Sequence, residues 1–349
     1  MTFWTIKLLF TIDLQDFKAN PVSNNTRKAV RFKLQISNLF FKMGQNSNLE
    51  ISSNSPKYRF KYAPLPIINI TWTHLVTIYG IYLILSGHIY WKTIIFSWIY
   101  GFCGQIGVHG GAHRLWSHKS YKAKLPLVLV LVWWQTISGQ NSIYEWARDH
   151  RVHHANTETD ADPHNAKRGL FFSHIGWLMV RKHVDVIAAG KKMDLSDLED
   201  DPVIMFQYRH YKILATIFTF GGPILFTWYF FGESLFNSWV MVVVRYVLSL
   251  HGTFLVNSWA HWYGTRPYDK NINPSESIFT SVFSGGEGWH NYHHTFPWDY
   301  KTGELGGHRF STTTMFIDAC AKLGLVYGRK SVSGEVVKKR MQRTGDGSS

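Results

Sequence analysis

Residues Leu83–Phe96 read LILSGHIYWKTIIF, and this stretch decides the architecture. On either side of it the chain is apolar for long enough to cross a hydrocarbon core, which takes roughly 20 helical residues. The break around Tyr90 to Lys92 is too short to do more than turn the chain back. It predicts a helical hairpin over residues 66–112, with spans at 66–90 and 91–112. A second pair of apolar runs, 211–231 and 235–258, is joined as briefly around Gly232 to Asn237. Two hairpins that each return to their starting side leave the rest of the chain on one face. The expected fold is therefore an all-α integral membrane protein with four transmembrane helices and a helical cap, made from residues 113–210 and 259–349. Residues 1–65 are expected to form a separate, partly disordered segment on the cap side.

Composition and charge agree with that scheme. Aromatic residues make up 16% of the 349 and charged residues only 17%, an unusual balance for a soluble protein. Of the 37 lysines and arginines, all but Lys92 and Arg245 lie before residue 66, between the hairpins with Lys212 at the lip of the third span, or after residue 260. Basic residues collect on the cytoplasmic side of short loops, so the cap and both termini should be cytosolic. The net charge of +14 then suits an anionic membrane surface or a polyanionic head group, and nucleic acid is not an expected partner. The run Leu125–Ser138 is apolar but too short to span, so it should lie at the interface or beneath the cap. Lys7 interrupts the apolar start MTFWTIKLLFTI and no small-residue cleavage site follows, so a signal peptide is not expected there. Cys103 and Cys320 are expected to be buried, inert thiols.

The chemistry lies in the histidines. DHRVHH places His150, His153 and His154 at i, i+3 and i+4, on one face of a helix. HNYHH repeats the spacing with His290, His293 and His294, HRLWSH supplies His113 and His118, and NSWAH supplies His261. Nine imidazoles exceed the needs of one metal ion, so two metals are the economical reading. His113 and His118 are five apart and would diverge by about 140° on a continuous α-helix, so a helix end is expected between them. Few carboxylates accompany these ligands, which favours redox chemistry with dioxygen over a closed structural zinc site. A carboxylate-bridged di-iron site competes, because Glu287-Gly-Trp-His290 spells Glu-x-x-His. Gly285, Gly286 and Gly288 make that segment a poor helix. Asp160 and Asp162 are candidates to accept hydrogen bonds from ligand histidines, and Glu145 reads as structural.

With EWARDHR, TDADPHN and HTFPWDY around them, the boxes HRLWSH, HRVHH and GEGWHNYHH resemble the membrane acyl-CoA desaturases, in particular the insect stearoyl-CoA desaturase-like group. The similarity runs over roughly residues 57–347. It implies a mushroom-shaped protein in the endoplasmic-reticulum membrane, with two ferrous ions in a cytosolic cap above four spans. Its ligands would be His113, His118, His150, His153, His154, His261, His290, His293 and His294, with Asn257 acting through a bound water. The implied reaction uses dioxygen to place a cis double bond in a saturated fatty acyl-CoA, most directly at carbon 9. Electrons would come from a separate cytochrome b5 and its NADH-dependent reductase, since the chain shows neither a nucleotide fingerprint nor a fused cytochrome signature.

The same resemblance puts a kink in the acyl tunnel at Gln140, Trp146 and Thr253, and its closed end near Gly101 and Gln105. It gives the CoA head group to Asn141, Arg148, Asp149, Arg181 and Lys182. Arg and Lys suit phosphates, although Arg148 and Asp149 could instead orient ligand histidines, and Arg181 and Lys182 could meet the membrane surface. The chain departs from the family at Ala63-Pro64-Leu65-Pro66, where a Trp-Arg-Asn run is usual, and at Trp259, Trp262, His109 and His251. Those last four are expected to be packing or hydrogen-bonded residues. Other regiochemistry, hydroxylation, or a silent metal-binding relative are the competing functions.

Overall fold

The computed structural model of this chain describes residues 60–349, apart from His308 and Ser349. The N-terminal segment expected at 1–65 thus falls almost wholly outside the described residues. The fold is helical, with one two-residue antiparallel ladder between β1 (Lys122–Ala123) and β2 (Val326–Tyr327).

Helix α1 (Pro64–Leu85) starts on a proline in its first turn, where the missing N–H costs nothing. Helix α2 (Trp91–Ile106) runs straight on into an 11-residue π-helical stretch, Gly107–Ser117. Helix α3 (Leu125–Ser138) ends at Gly139 in the left-handed region. Helix α4 (Ile143–Asn156) opens on a capping box in which the Ser142 and Glu145 side chains each accept from the other's backbone N–H, so Glu145 is structural. Short helices α5 (Leu170–His174), α6 (Val184–Lys192) and α7 (Ser196–Glu199) follow. Helix α8 (Pro202–Ala215) is capped by Asp201 and passes through a π turn, Thr216–Gly221, into α9 (Gly222–Phe231). Next come α10 (Leu235–Asn257), α11 (Trp259–Trp262), α12 (Ile278–Ser284), α13 (His290–Thr295), α14 (Thr312–Lys322) and α15 (Gly334–Thr344).

Among the described residues, three stretches are long and apolar enough to cross a membrane: Pro64–Leu85, Pro202–Phe231 and Leu235–Trp262. The run expected at 91–112 is regular α-helix only to Ile106 and then widens into the π stretch. The helix expected from 211 begins at Pro202, because Asp201 caps it there.

Helix α10 is the hub of the apolar bundle. Val240, Val243, Val244 and Val247 on it pack with Val76, Leu83 and Ile89. The approach of α1 is close enough that a Cβ at Gly80 would fall 2.4 Å from Val244 Cγ2. Both α1 and α2 pack on α10 and scarcely touch each other. Leu65, Ile68, Trp72, Leu75 and Ile78 on the outer face of α1 are exposed, as lipid contact requires. The cap has its own core, where Trp116, Tyr121 and Leu131 meet Ile143, Leu198 and Ile317.

The two inter-helix turns are held together by one carboxyl. Glu233 Oε2 accepts from the Tyr90 N–H (2.9 Å) and Thr93 Oγ1 (3.1 Å), while Oε1 accepts from the Ser234 N–H and Asn237 Nδ2. Asn237 Nδ2 also donates to the His88 carbonyl. Removing a buried acceptor strands its donors, at about 1–3 kcal/mol. Glu233→Ala is therefore expected to lower the thermal unfolding midpoint in detergent while leaving metal content unchanged, both measured on the same purified sample.

Candidate metal centre

The π stretch solves the problem posed by His113 and His118. Hydrogen bonds there join residues five apart, as from the His118 N–H to the His113 carbonyl (3.1 Å) and from Ser117 Oγ to the Ala112 carbonyl (2.6 Å). Such a turn brings i and i+5 nearly one above the other, so the two rings come within 4.9 Å. The helix does end at His118, but its widened turn is what aligns the pair. Gly107 lets α3 come close: a Cβ there would sit 2.2 Å from the Gln135 nitrogen.

Helix α4 presents His150 and His154 to one side and His153 to the other. With α13 and His261 of α11 added, the nine histidines sort into two groups. His113, His118, His150, His154 and His293 bring ring nitrogens together within 4.8 Å, and so do His153, His261, His290 and His294. His293 Nε2 lies 3.0 Å from Nε2 of both His113 and His154, and His118 Nε2 lies 2.8 Å from His150 Nε2. In the other group His290 Nε2 lies 3.0 Å from His261 Nε2 and 3.1 Å from His294 Nε2.

Carboxylates behind the rings fix the tautomers. Asp162 Oδ1 accepts from His153 Nδ1 (2.8 Å), and Glu158 Oε1 accepts from His261 Nδ1 (2.9 Å). Protons held on Nδ1 leave Nε2 bare, and His153 Nε2 is buried with no hydrogen-bond partner. Burial first, then the neighbouring imidazoles, holds His118, His150, His154, His290, His293 and His294 well below the usual histidine range. A set of neutral, convergent, carboxylate-backed Nε2 atoms suits transition-metal ions. Burial also lowers His153, but Asp162 outweighs it and raises the group above its usual value.

These shifts set an acid limit for the metal-free protein. A histidine depressed on folding leaves stability intact above its unfolded value near 6.5 and loses it as pH falls toward the folded value. The raised His153 works oppositely, and the six depressed groups outnumber it. The metal-free cap should therefore lose stability as pH drops below about 6.5, and bound metal should shift that loss to lower pH. Hydrogen exchange of α4 and α13 from pH 7.5 to 5, with and without chelator, measures this.

The carboxylate expected to compete for metal is occupied elsewhere. Arg114, fully buried, donates to Glu287 Oε1 (2.6 Å), Thr302, Thr314, Ser311 and the Tyr300 carbonyl. Burial raises Glu287, but Arg114, His109 and His113 outweigh it and hold the carboxyl well below the usual range. Its second oxygen lies 3.7 Å from His113 Nδ1. Asp160 does not back a ligand, as it pairs with Arg168 at 2.8 Å. Glu158 takes that role and was not expected from the sequence. It sits in the left-handed region at φ +61, which is unusual for glutamate.

A cavity of about 30 Å³ adjoins both groups, walled by His113, His290, His293, Trp146, Thr253 and Asn257 among others. Trp146 stacks on His150 with ring centres 4.8 Å apart. Gln140 Nε2 donates to Thr253 Oγ1 (3.0 Å), and Thr253 Oγ1 donates to Gln105 Oε1 (3.4 Å). Gly101 faces Arg245, whose Cγ would lie 3.2 Å from an added Cβ. His109 also lines the cavity, with Nε2 buried and unpartnered. Of the expected head-group residues, Arg148 and Lys182 both pair with Asp149, while Asn141 and Arg181 take no part in those pairs. Trp259 packs at a tilt against Tyr263 and Phe279, and Trp262 donates to the Ala166 carbonyl, so the first has a packing role and the second a hydrogen-bonding one.

Comparison with known proteins agrees with this geometry. Residues 88–301 match the family model described as fatty acid desaturase. The chain is 50% identical over 292 residues to an acyl-CoA Delta-9 desaturase of Acheta domesticus, covering 83% of this chain and 81% of the relative. It is 52% identical to an acyl-CoA Delta12-desaturase of the same organism, covering 80% and 79%. It is 47% identical to the stearoyl-CoA desaturase of Homo sapiens, covering 90% and 89%.

Proposed function

We propose that this chain, which belongs to the fatty acid desaturase family, is an acyl-CoA desaturase that forms a cis double bond between carbons 9 and 10 of a saturated chain. The observation that carries the reading is the pair of convergent histidine groups opening on one small cavity beside Trp146 and Thr253. Two ferrous ions in those groups would supply the dioxygen-dependent oxidation that no side-chain acid or base can perform. The remaining work belongs to the protein.

In this reading His113, His118, His150, His154 and His293 hold one iron. His153, His261, His290 and His294 hold the other, with Asn257 contributing through a water. Asp162 and Glu158 keep the ring protons on Nδ1 and orient the rings. The Gln140–Thr253–Gln105 chain of hydrogen bonds stiffens the tunnel wall, and Trp146 bends the substrate past the irons. An acyl chain has no polar handle at its midpoint, so wall shape must choose the methylene pair. Arg148, Asp149 and Lys182, with Asn141 and Arg181 nearby in the sequence, receive the CoA head group.

The same reading supplies the setting: four spans in two hairpins (66–112 and 211–258), a cytosolic cap (113–210 and 259–349), and an endoplasmic-reticulum location with both termini cytosolic. A separate cytochrome b5 with its NADH-dependent reductase would deliver electrons. Similarity alone does not choose the bond, because the two Acheta domesticus relatives carry different position names at nearly equal identity. His109 on the cavity wall favours a second reading, a desaturase of other regiochemistry. Expression in a yeast strain lacking its own desaturase, with double bonds located by mass spectrometry, decides between them. The expected product is a 9-monoene. Bonds elsewhere would support the second reading, and an iron-loaded protein that forms none would overturn both.

A further inference from the structure

A second histidine assembly lies outside the metal centre. His74 Nδ1 donates to the Ile70 carbonyl (2.6 Å), and His74 Nε2 lies 3.0 Å from His251 Nε2. His251 Nδ1 lies 2.8 Å from His174 Nε2, and His174 Nδ1 lies 2.8 Å from Ser258 Oγ. Ser258 Oγ in turn lies 2.7 Å from the Phe254 carbonyl, to which it can donate. The assembly links α1, α10 and α5 in series. It is not a chelate, because His251 turns opposite ring nitrogens to its two partners, whereas each metal group converges.

Counting protons shows what such a chain can do. Both of its ends are carbonyl oxygens, which only accept. Five contacts therefore need five protons, while three neutral imidazoles and one hydroxyl hold four. One gap always lacks a proton. A proton entering anywhere along the chain fills that gap, another leaves, and the vacancy moves by hops of one hydrogen bond.

The two ends lie in suitable places. His74 and His251 wall a cavity of about 410 Å³ with Leu65, Asn69 and Leu250, which offers a point of entry. At the other end Ser258 is buried and is the next residue in the chain after Asn257, which itself lines the 30 Å³ cavity, a space with room for a water. The titratable groups acting on His251 and His174 are the chain's own histidines. The Tyr246 phenol shares the larger cavity's wall.

We propose that His74, His251, His174 and Ser258 form a relay that carries protons toward the metal centre. This rests on the desaturase reading, whose balance requires it. One –CH2–CH2– unit, one dioxygen, two electrons from a one-electron donor and two protons give one –CH=CH– and two waters. The two methylene hydrogens leave as part of that water, and the two further protons must reach a buried site from solution.

The test uses the full-length, iron-loaded protein in lipid nanodiscs. His251→Phe keeps an aromatic ring and breaks the chain at its centre, and His174→Gln is a second break should the first misfold. Expected are unchanged iron content and KM, kcat lower by about tenfold or more, a larger solvent deuterium isotope effect on kcat, and partial rescue by added imidazole. Wild-type kcat with an unchanged isotope effect would overturn the relay. So would a loss that imidazole leaves untouched, since packing alone would explain it. Independently of turnover, the metal-free chain carrying 15N-histidine should show couplings across both N···N contacts, and their absence would remove the wire. A wild-type protein that loads iron and forms no double bond overturns the desaturase reading and the relay with it.

Discussion

His293→Ala is expected to abolish double-bond formation and to lower bound iron by about half, because one ligand group loses its central member while the other keeps all four of its histidines. His293 Nε2 is the only atom placed within 3.0 Å of two other Nε2 atoms in its group among the contacts described, those of His113 and His154. It also joins three elements, since His113 belongs to the π stretch, His154 to α4 and His293 to α13. Its loss therefore opens the group instead of thinning it. His210→Ala is the control, as that exposed ring lies away from both histidine groups and meets Phe206 of its own helix, through the carbonyl and by ring stacking. Metal analysis and product analysis on the same preparations read the effect. Wild-type iron and product in His293→Ala would sink the two-iron assignment.

The largest effect on folding is expected from Arg114→Met. The guanidinium is fully buried and Glu287 is only 5% exposed. Breaking one side of such a pair leaves a buried charge uncompensated, at about 3–5 kcal/mol. That is a large share of the roughly 5–15 kcal/mol by which a domain is stable. The single variant should fail to accumulate as folded protein. Replacing both partners, Arg114→Met with Glu287→Met, removes the orphaned charge and should recover much of the yield. The double variant should still bind metal less well, because the carboxyl beside His113 Nδ1 is gone. Equal yield from the single and double variants would show that the ion pair is not what Arg114 contributes.

The sequence disclosed different things at different ranges. The i, i+3, i+4 spacing of His150, His153 and His154 is a local property of helix geometry, and α4 displays it as expected. How those three divide between two groups is not local, since it depends on where α13 and α11 arrive. The π stretch of Gly107–Ser117 escaped because the apolar spacing of a 3.6 period does not reveal it, and the close approach of α3 at Gly107 is a long-range contact. Asp162 and Asp160 looked alike in TDADPH, but only Asp162 faces inward, while Asp160 meets Arg168. Glu158 had one available signal, its place four residues after His154 among turn-forming neighbours, and that signal is too weak to name a partner 103 residues away. Arg114 could have been noticed as a charge held between metal-binding candidates in HRLWSH.

Glu233 makes the bundle behave as a hinge pinned at one end. Its carboxyl fastens the α1–α2 turn to the α9–α10 turn, so the seam between α1 and α10 cannot part there without stranding buried donors. Any widening must then be angular, growing with distance from the pin. Helix α1 is 22 residues, about 33 Å long, so a tilt of about 5° displaces its Pro64 end by about 3 Å. That free end carries Leu65 and Asn69 on the wall of the larger cavity, with His74 further along at mid-helix. A small carboxyl at one end of the bundle thus acts as the fulcrum for opening at the other, and loosening it should widen that cavity before it changes anything at the histidine groups.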